Sequence, residues 1–475
     1  MLFQRFESEG LAHYSYLIGD GEEAALIDPR RDVEAYLEAA SRAGLPINHV
    51  LETHRHEDFV VGSLELASRN RTELLHPQYE DVDYGEPIRD GEVLRIGSLR
   101  LEALHTPGHT PGHMSYLLRN GQGAPWVIFS GDALFAGDVG RVDLLGRERL
   151  VEMAGLLYDS LFQRLLPLGD EVIVCPAHGA GSACGESISD RPWTTIGLER
   201  QYNPRLRYED RATFVAQVGH ELEFPPYFRE MERMNKQGPP LLGPLPSPRP
   251  VPAREFSERA REDQVLDTRQ AADYGAAHVP GSLSIWEEGI PRFAGWFLSY
   301  DRPLLLVGEG NDPSTEVRYL ARVGLDRFDG FLAGGMLEWH KHGLASRRVQ
   351  TLTVQELCRR LDRGEEAWIL DVRSAGELKR EGRLPGAHHI HVTQLPEHIG
   401  EVPADRPVYV FCGSGLRSMI AASLLERAGR QNLNVVLGGV AGWSSRRYPL
   451  WQEAEPGVGY EQLYPELISE RREFL

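Results

Sequence analysis

The second half of the chain repeats itself, and this repeat constrains the fold more than any other feature of the sequence. The segment Leu266–Arg269 (LDTR) recurs as Leu370–Arg373 (LDVR), and a Gly-Gly pair at 334 recurs at 438, both at an offset of 104 residues. Each copy alternates short β-branched strands with helical stretches, a pattern that produces a parallel sheet. We therefore predict two copies of one α/β domain.

A proline-rich segment separates the repeat from the first half of the chain. Residues 238–252 contain seven prolines in fifteen residues, which removes backbone donors and imposes an extended conformation. This predicts a first domain over 1–237, a linker over 238–252, a middle domain over 253–346 and a last domain over 347–475 that includes a C-terminal tail. A chain of 475 residues has room for these three domains.

Charge and composition exclude several classes of function. The chain has 70 acidic and 51 basic residues, and its net charge of −19 opposes binding to nucleic acid or to an anionic membrane surface. Its apolar runs are too short to span a bilayer, and residues 1–14 lack the apolar core of a secretory signal. Four cysteines make no disulfide framework in so long a chain. We expect a cytoplasmic protein with reduced thiols and no nucleic acid or membrane partner.

Histidines and carboxylates cluster at the ends of predicted strands in the first domain. Imidazole and carboxylate together suit zinc, iron or manganese, so this cluster predicts a metal centre. His54 and His56 are two residues apart, and in an extended chain such side chains face the same side, so both imidazoles can face one pocket. The candidate ligands are His54, His56, Asp58, His109, Asp132 and His178.

Taken together, the motifs His-x-His-x-Asp, Thr-Pro-Gly-His-Thr, Ser-Gly-Asp and Pro-Ala-His-Gly resemble the metallo-β-lactamase superfamily over about residues 1 to 235. The resemblance implies an αββα sandwich with the metal at the edge of two sheets. Two-metal members such as glyoxalase II carry a histidine after the aspartate, where this chain has Phe59, and that difference argues for one metal. The segments Gly131–Phe135 and Gly140–Asp143 resemble the persulfide dioxygenase branch.

The resemblance to that branch implies that His54, His109 and Asp132 hold one mononuclear non-haem Fe(II), with zinc as an alternative or adventitious metal. Such a centre would leave open positions for the outer sulfur of a low-molecular-weight thiol persulfide and for O₂, with sulfite as the product. His56, Asp58 and His178 would then orient ligands and water, or act as alternative metal ligands, as His56 would in the zinc members.

Two further residues of the first domain are candidates for substrate binding. Arg141 could attract an anionic persulfide, or it could form a structural salt bridge with Asp143. Cys184 follows His178 in a loop rich in glycine and serine, where it could relay sulfur at the metal pocket or lie at the surface as an ordinary thiol.

In the last repeat a predicted strand runs into the loop Cys412-Gly413-Ser414-Gly415-Leu416-Arg417. Small residues allow backbone N–H groups to converge on the sulfur, and the following helix presents its positive end there, so Cys412 should be a nucleophile of low pKa. Gly413, Ser414 and Gly415 would line the substrate, and the Arg417 fork suits the oxygens of thiosulfate or sulfite. Cys-x-x-Gly-x-Arg, with the flanking Leu-Asp-Val-Arg and Leu-Gly-Gly motifs, resembles rhodanese over about residues 350 to 455, which implies a persulfide-carrying cysteine.

The middle repeat lacks this chemistry. The offset of 104 places Gly308 where Cys412 stands and Pro313 where Arg417 stands, so this copy has neither thiol nor cation. We predict a rhodanese-like domain without transferase activity that serves as a spacer, a dimer surface or a docking platform.

These observations predict an α/β multidomain protein in which a metallo-β-lactamase sandwich precedes two rhodanese-like domains with parallel sheets. The predicted function is persulfide dioxygenation coupled to sulfur transfer between persulfide, sulfite and thiosulfate. Two alternatives stay open: a glyoxalase II-like zinc thioester hydrolase with a sulfurtransferase domain, and a sulfur-carrier protein without catalytic activity. A homo-oligomer is compatible with the sequence.

Overall fold

The computed structural model describes residues 1–208 and 210–450, and it divides into two compact units. The first unit contains Met1–Pro246 with the segments Pro291–Phe297 and Val317–Asp326. The second contains Ser247–Ile290, Leu298–Glu316 and the described residues from Arg327 to Leu450. Residues 451–475, at the end of the predicted last domain with its C-terminal tail, lie outside the described residues. None of the helices in the described ranges is long and apolar enough to cross a membrane.

Two six-stranded sheets form the first unit. The first has its strands in chain order: β1 (Leu2–Ser8), β2 (His13–Asp20), β3 (Glu23–Ile27), β4 (Ile47–Leu51), β5 (Glu73–Pro77) and β6 (Glu86–Ile88). In the second sheet, strands that follow one another in the chain are also neighbours. Its strands are β7 (Val93–Ile96), β8 (Leu99–His105), β9 (Met114–Arg119), β10 (Pro125–Gly131), β11 (Ile173–Pro176) and β12 (Thr194–Thr195).

The central strands are apolar on both faces because each sheet is covered on both sides. On β2, Tyr16 points into the core between the sheets, and the next residue, Leu17, packs on the opposite side with Tyr36 of a covering helix. On β9, Leu118 lies in the inter-sheet core and Leu117 lies in the core on the outer side. Alternate residues of one strand therefore serve two different cores, as in a sheet with both faces buried.

Helices cover the outer faces of both sheets and complete the predicted αββα sandwich, which is confirmed. Helices α1 and α2 contribute to the core on the first sheet, and α3, α4 and α5 contribute to the core on the second. The helices of this part of the chain are α1 (Glu34–Ala43), α2 (Ser63–Arg69), α3 (Leu150–Asp159), α4 (Ile196–Tyr202), α5 (Arg211–Val218) and α6 (Phe228–Gln237).

The repeat of the second half appears as two five-stranded parallel sheets with equivalent strand orders, β13-β17-β16-β14-β15 and β18-β22-β21-β19-β20. The first comprises β13 (Pro250–Val251), β14 (Gln264–Asp267), β15 (Leu283–Ser284), β16 (Leu304–Val307) and β17 (Phe328–Leu332). The second comprises β18 (Gln350–Thr353), β19 (Trp368–Asp371), β20 (His388–His389), β21 (Val408–Phe411) and β22 (Leu433–Leu437).

The helices repeat as well. The middle copy has α7 (Ala253–Arg259), α8 (Ala271–Ala276), α9 (Ile290–Phe297), α10 (Ser314–Arg322) and α11 (Gly335–Lys341). The last copy has α12 (Val354–Asp362), α13 (Ala375–Glu381), α14 (Leu395–His398), α15 (Leu416–Arg427) and α16 (Gly439–Ser445). Strand β13 falls within the predicted linker 238–252, so the last residues of that segment belong to a sheet.

A buried ion-pair network joins the segment Val317–Asp326 to the rest of the first unit. Both oxygens of Asp32 accept hydrogen bonds from the Arg322 guanidinium at 2.9 Å, and Arg30 donates to the same carboxylate at 3.0 Å. The Arg322 carbonyl, at the end of α10, accepts from the Val60 N–H at 2.7 Å, which satisfies a carbonyl that the helix leaves without a partner. The segment therefore fixes the loop that follows Asp58.

Replacing Arg322 with methionine should destabilise the first unit. Arg322→Met removes two charge-assisted hydrogen bonds from a buried carboxylate, so we expect the free energy of unfolding to fall by about 2–4 kcal/mol. The matched control is Arg318→Met, because Arg318 lies 3.8 Å from the same carboxylate with a side chain 43% exposed. That change should cost less than about 1 kcal/mol. Urea unfolding curves measure both values, and equal losses would contradict the assignment.

Candidate functional site

Loops from both sheets of the first unit meet at one point. His54 follows β4 of the first sheet, whereas His109 lies between β8 and β9 of the second, and Asp132 and His178 follow β10 and β11. All four side chains are completely or almost completely buried. The sandwich thus brings together side chains that lie far apart in the sequence.

Three of the predicted metal ligands converge through atoms that have no hydrogen-bond partner. Asp132 Oδ2 lies 3.4 Å from His109 Nε2 and 3.8 Å from His54 Nε2. Each of these three buried atoms is unpaired among the described residues. An unpaired buried acceptor is costly, and three that face one another are the arrangement that a cation satisfies. The residues present therefore fit a metal ion.

Hydrogen bonds on the far side of each ring set the tautomer of both imidazoles. The Thr53 hydroxyl donates to Asp28 at 2.8 Å, so its oxygen accepts from His54 Nδ1–H at 2.9 Å. His109 Nδ1–H donates to the Arg141 carbonyl at 2.9 Å. Each ring is therefore protonated at Nδ1 and presents the Nε2 lone pair to the centre. Burial lowers the pKa of both rings, which keeps them neutral.

The Asp132 backbone is also fixed. Its N–H donates to His113 Nε2 at 2.9 Å, and the preceding Gly131 has a φ of +51°. A Cβ at Gly131 would lie 2.4 Å from His113 Nε2, so only glycine allows this close approach. Sequence reasoning assigned no role to His113 or Thr53, although both adjoin the motifs that carry the ligands.

His178, Asp58 and His56 lie around this set. His178 Nδ1 is 2.7 Å from Asp132 Oδ1, and its Nε2 is 2.8 Å from Asp58 Oδ2. Although burial lowers the pKa of His178, the two carboxylates raise it well above its usual value. His56 Nε2 lies 3.1 Å from Asp28. The contact with His178 orients the Asp132 carboxylate so that its other oxygen, Oδ2, faces the two imidazoles.

Phe59 stands where two-metal relatives would have another histidine. Its ring is fully buried, 4.0 Å from the His13 ring centre and 4.6 Å from that of His56. The phenyl group contributes no ligand atom at this position.

Arg141 forms the structural salt bridge that was one of its two predicted roles. Its guanidinium binds both oxygens of Asp143, at 2.7 and 2.8 Å, and it also donates to backbone carbonyls, including that of Ala183. The side chain is buried. With its donors engaged in this way, Arg141 holds the loop beside His109.

Cys184 is not a surface thiol, so that alternative is wrong. The residue is 1% exposed, and its sulfur lies within 4.8 Å of the ligand atoms of both His109 and Asp132, and likewise of Asp58 and His178. Burial raises the pKa of the Cys184 thiol well above its usual value, and the nearby carboxylates raise it further. A neutral thiol therefore faces the metal pocket.

Sequence reasoning missed one further carboxylate in this pocket. Glu57 is buried, and its ligand atom lies within 4.8 Å of those of His54 and His109. Its position between His56 and Asp58 was the available signal, but the alternation of an extended chain places it on the opposite side from both. In the structure the chain bends at residues 57–59 and forms no strand there, so this alternation does not apply.

The second candidate site is the loop after β21. Cys412 is fully buried at the strand end, and its sulfur accepts from the Gly415 N–H at 3.1 Å. Backbone N–H groups at the Gly-Gly motif and just after it bind the loop carbonyls. The Cys412 carbonyl accepts from the Val440 N–H at 2.9 Å, and the Ser414 carbonyl accepts from the Gly438 N–H at 2.8 Å. Gly439 has a φ of +46°, and a Cβ there would lie 2.1 Å from the Cys412 carbonyl oxygen. The repeated glycines therefore allow the chain to pack closely against the carbonyls of this loop.

Arg417 is engaged by a carboxylate that sequence reasoning missed. Its two terminal nitrogens donate to Glu377 at 2.7 and 2.5 Å, and Glu377 also closes a capping box with Ser374 at the start of α13. Although burial raises the pKa of Glu377, the bonds from Arg417 and Ser374 lower it to about 2. The ion pair holds the guanidinium beside Gly413.

Known proteins resemble both parts of the chain. The metallo-beta-lactamase superfamily model matches residues 9–178, and the rhodanese-like domain model matches residues 252–342 and 353–446. The chain is 29% identical to the hydroxyacylglutathione hydrolase GloC of Haemophilus influenzae, over 40% of this chain and 91% of that protein. It is 32% identical to the mitochondrial persulfide dioxygenase ETHE1 of Homo sapiens, over 43% of this chain and 76% of that protein. A crystal structure of a metallo-beta-lactamase from Staphylococcus aureus is 29% identical and superposes with a TM-score of 0.63, covering 70% of this chain and 99% of that one.

Removing the hydroxyl behind His54 should weaken metal binding. Thr53→Val deletes the acceptor for His54 Nδ1–H, so we expect the affinity for a divalent metal to fall by about 10–100-fold. Thr53→Ser keeps the hydroxyl and should bind as the wild type does. Anaerobic titration of metal-free protein measures both, and an unchanged affinity in Thr53→Val would contradict this role.

The Arg417–Glu377 ion pair should give a pH-dependent contribution to stability. The pKa of Glu377 is lower in the folded state than its ordinary value of 4.5, so the pair stabilises above that pH and the effect is lost as the pH falls towards about 2. We expect Glu377→Gln to cost about 1–2 kcal/mol at pH 7. The difference from wild type should disappear in unfolding curves taken near pH 2. A difference that is constant with pH would contradict the ion pair.

Proposed function

The chain belongs to the metallo-β-lactamase superfamily, with two rhodanese-like domains behind the superfamily's own domain, and from this premise we propose that it is a persulfide dioxygenase coupled to a sulfurtransferase. The proposed reaction of the first domain is R-S-SH + O₂ + H₂O → R-SH + sulfite + 2 H⁺. The last domain would transfer sulfane sulfur between persulfide, sulfite and thiosulfate through Cys412.

One observation carries the proposal for the first domain: two imidazole nitrogens and one carboxylate oxygen face each other unpaired, while a phenyl ring occupies the place of a further histidine. His54, His109 and Asp132 offer the same donor types as the two-histidine, one-carboxylate set of non-haem iron oxygenases. Fe(II) bound there would supply the activation of O₂. We therefore propose iron as the native metal, with zinc as a competitor.

The surrounding residues would act on the substrate through position and polarity. The side chains of His54, His109 and Asp132 are buried, so polar interactions with a bound substrate would be stronger there than in bulk water. His178, held between Asp58 and Asp132, keeps the Asp132 carboxylate turned towards the imidazoles. The neutral Cys184 thiol beside His109 and Asp132 would contact the sulfur end of the substrate.

In the last domain the proposed step is nucleophilic. The Cys412 thiolate attacks the sulfane sulfur of a donor, the donor's S–S bond breaks, and sulfite or a thiolate leaves with the electron pair. The Gly415 N–H would stabilise the thiolate, and the start of α15 presents its positive end to the same loop. Because the two domains share persulfide and sulfite, their fusion raises the effective concentration of the common intermediates.

The similarity to hydroxyacylglutathione hydrolases supports a second candidate, a metal-dependent thioester hydrolase. Zinc bound in the first domain would supply a hydroxide nucleophile. Phe59 argues against the two-metal form of that chemistry. Hydrolysis of a glutathione thioester by zinc-loaded protein, without O₂ uptake by iron-loaded protein, would favour this candidate.

Oxygen uptake with glutathione persulfide tests the proposal directly. The full chain is purified without chelator, and iron and zinc are assayed in the same sample. We expect O₂ uptake that increases in proportion to bound iron and yields one sulfite per O₂. No uptake at full iron occupancy, with glutathione persulfide and with other thiol persulfides, would refute the dioxygenase assignment.

Replacing Cys412 should separate the two activities. Cys412→Ser removes the nucleophile, so sulfur transfer from thiosulfate should fall to background while iron-dependent O₂ uptake stays as in wild type. Cys358→Ser, which changes another buried cysteine of the last domain, should keep both activities. The middle repeat has Gly308 at the equivalent position and so offers no thiol there. Sulfur transfer that survives in Cys412→Ser would therefore contradict the assignment of Cys412 as the nucleophile.

A further inference from the structure

Glu57 presents a carboxylate oxygen to the same centre as the two histidines. Its Oε2 lies 4.0 Å from His109 Nε2, and its ligand atom forms a compact group with those of His54 and His109, all within 4.8 Å of one another. Glu57 is 3% exposed, and Oε2 is unpaired among the described residues. It is thus a further buried, unpaired atom beside those of His54, His109 and Asp132.

The neighbouring cation does not account for this oxygen. Arg55 lies 3.8 Å from the other carboxylate oxygen, Oε1, and its own short hydrogen bond, at 2.7 Å, goes to Glu232. Arg55 therefore turns its best donor towards Glu232 and leaves Oε2 to the pocket. A buried carboxylate with one free oxygen is stabilised by a cation on its open side, and the imidazole lone pairs of His54 and His109 face that same space.

We propose that Glu57 is an additional ligand of the metal centre, which would then consist of two imidazoles and two carboxylates. This inference rests on the proposed metal site at His54, His109 and Asp132. The second carboxylate would offset the charge of a bound divalent ion, and Glu57 would hold the ion together with His54, His109 and Asp132. Substrate sulfur and O₂ would share fewer positions, which restricts how they can lie next to each other.

Metal titration without turnover tests the assignment. Metal-free full-length protein is titrated with Co(II), a spectroscopic substitute for Fe(II), in wild type, in Glu57→Gln and in Glu232→Gln. Glu57→Gln keeps the size of the side chain and removes its charge. Glu232→Gln is the matched control, because it changes the other partner of Arg55, and its side chain is 41% exposed and not part of the group at the centre.

We expect Glu57→Gln to weaken Co(II) binding by at least about tenfold. Glu232→Gln should bind Co(II) as the wild type does. The thermal midpoint of the metal-free protein should be unchanged or higher in Glu57→Gln, since the amide removes an unpaired buried charge. Opposite effects on metal affinity and on metal-free stability distinguish a ligand from a residue that only supports the fold, which would lower both.

Three results would overturn the assignment. They are wild-type Co(II) affinity in Glu57→Gln, equal weakening in Glu232→Gln, and a lower metal-free thermal midpoint together with weaker binding. If Glu57→Gln does not fold, Glu57→Ala is measured with the same expectations. The Co(II) titration requires neither O₂ nor persulfide, so it can be interpreted even if the dioxygenase assay fails. A negative result in the Co(II) titration would likewise leave the interpretation of the O₂-uptake assay unchanged.

Discussion

The arrangement on which the first unit depends is the convergence of unpaired acceptors at the edge of two sheets. His54 and His109 each give their Nδ1 proton to a fixed oxygen, so both Nε2 lone pairs must face the centre, where Asp132 Oδ2 also lies. Such an arrangement is unfavourable without a cation. The sandwich supplies the rigidity, because these side chains follow the buried strands β4 and β10 or lie in the loop between β8 and β9.

The chain uses one sheet topology twice for different purposes. In the last copy, the loop after β21 carries Cys412, and the backbone N–H groups of Gly438, Val440 and Ala441 donate to the carbonyls of that loop. In the middle copy the equivalent loop has no nucleophile, yet the end of its α10 belongs to the first unit, where Arg322 binds Asp32 and accepts from Val60. The repeat without a cysteine at this position thereby bonds, through the Arg322 carbonyl, to Val60 in the loop that also carries His54, His56 and Asp58.

The sequence predicts those parts of the structure that depend on local pattern. The 104-residue repeat and the alternation of strands and helices led to two equivalent parallel sheets, and the four histidine and aspartate motifs led to the αββα sandwich. The three predicted ligands His54, His109 and Asp132 meet in the structure because His54 and Asp132 follow the ends of β4 and β10 and His109 lies in the loop between β8 and β9. Motifs of this kind need no knowledge of distant contacts.

Contacts between distant residues could not be predicted in the same way. Glu377 lies 40 residues before Arg417, so nothing local shows that their side chains form a bidentate pair. The burial of Cys184 depends on the Arg141 loop, to which its carbonyl is bonded at 3.0 Å. Glu57 faces the imidazoles only because the chain leaves the extended conformation after β4. Each of these required the folded chain.

Anomalous diffraction at the iron edge, from crystals of the full chain purified without chelator, tests the central claim most directly. We predict a single iron per chain, in contact with His54 Nε2, His109 Nε2 and Asp132 Oδ2. Two metal ions in this pocket, or one bound through Asp58 and His178 and away from His54 and His109, would contradict it.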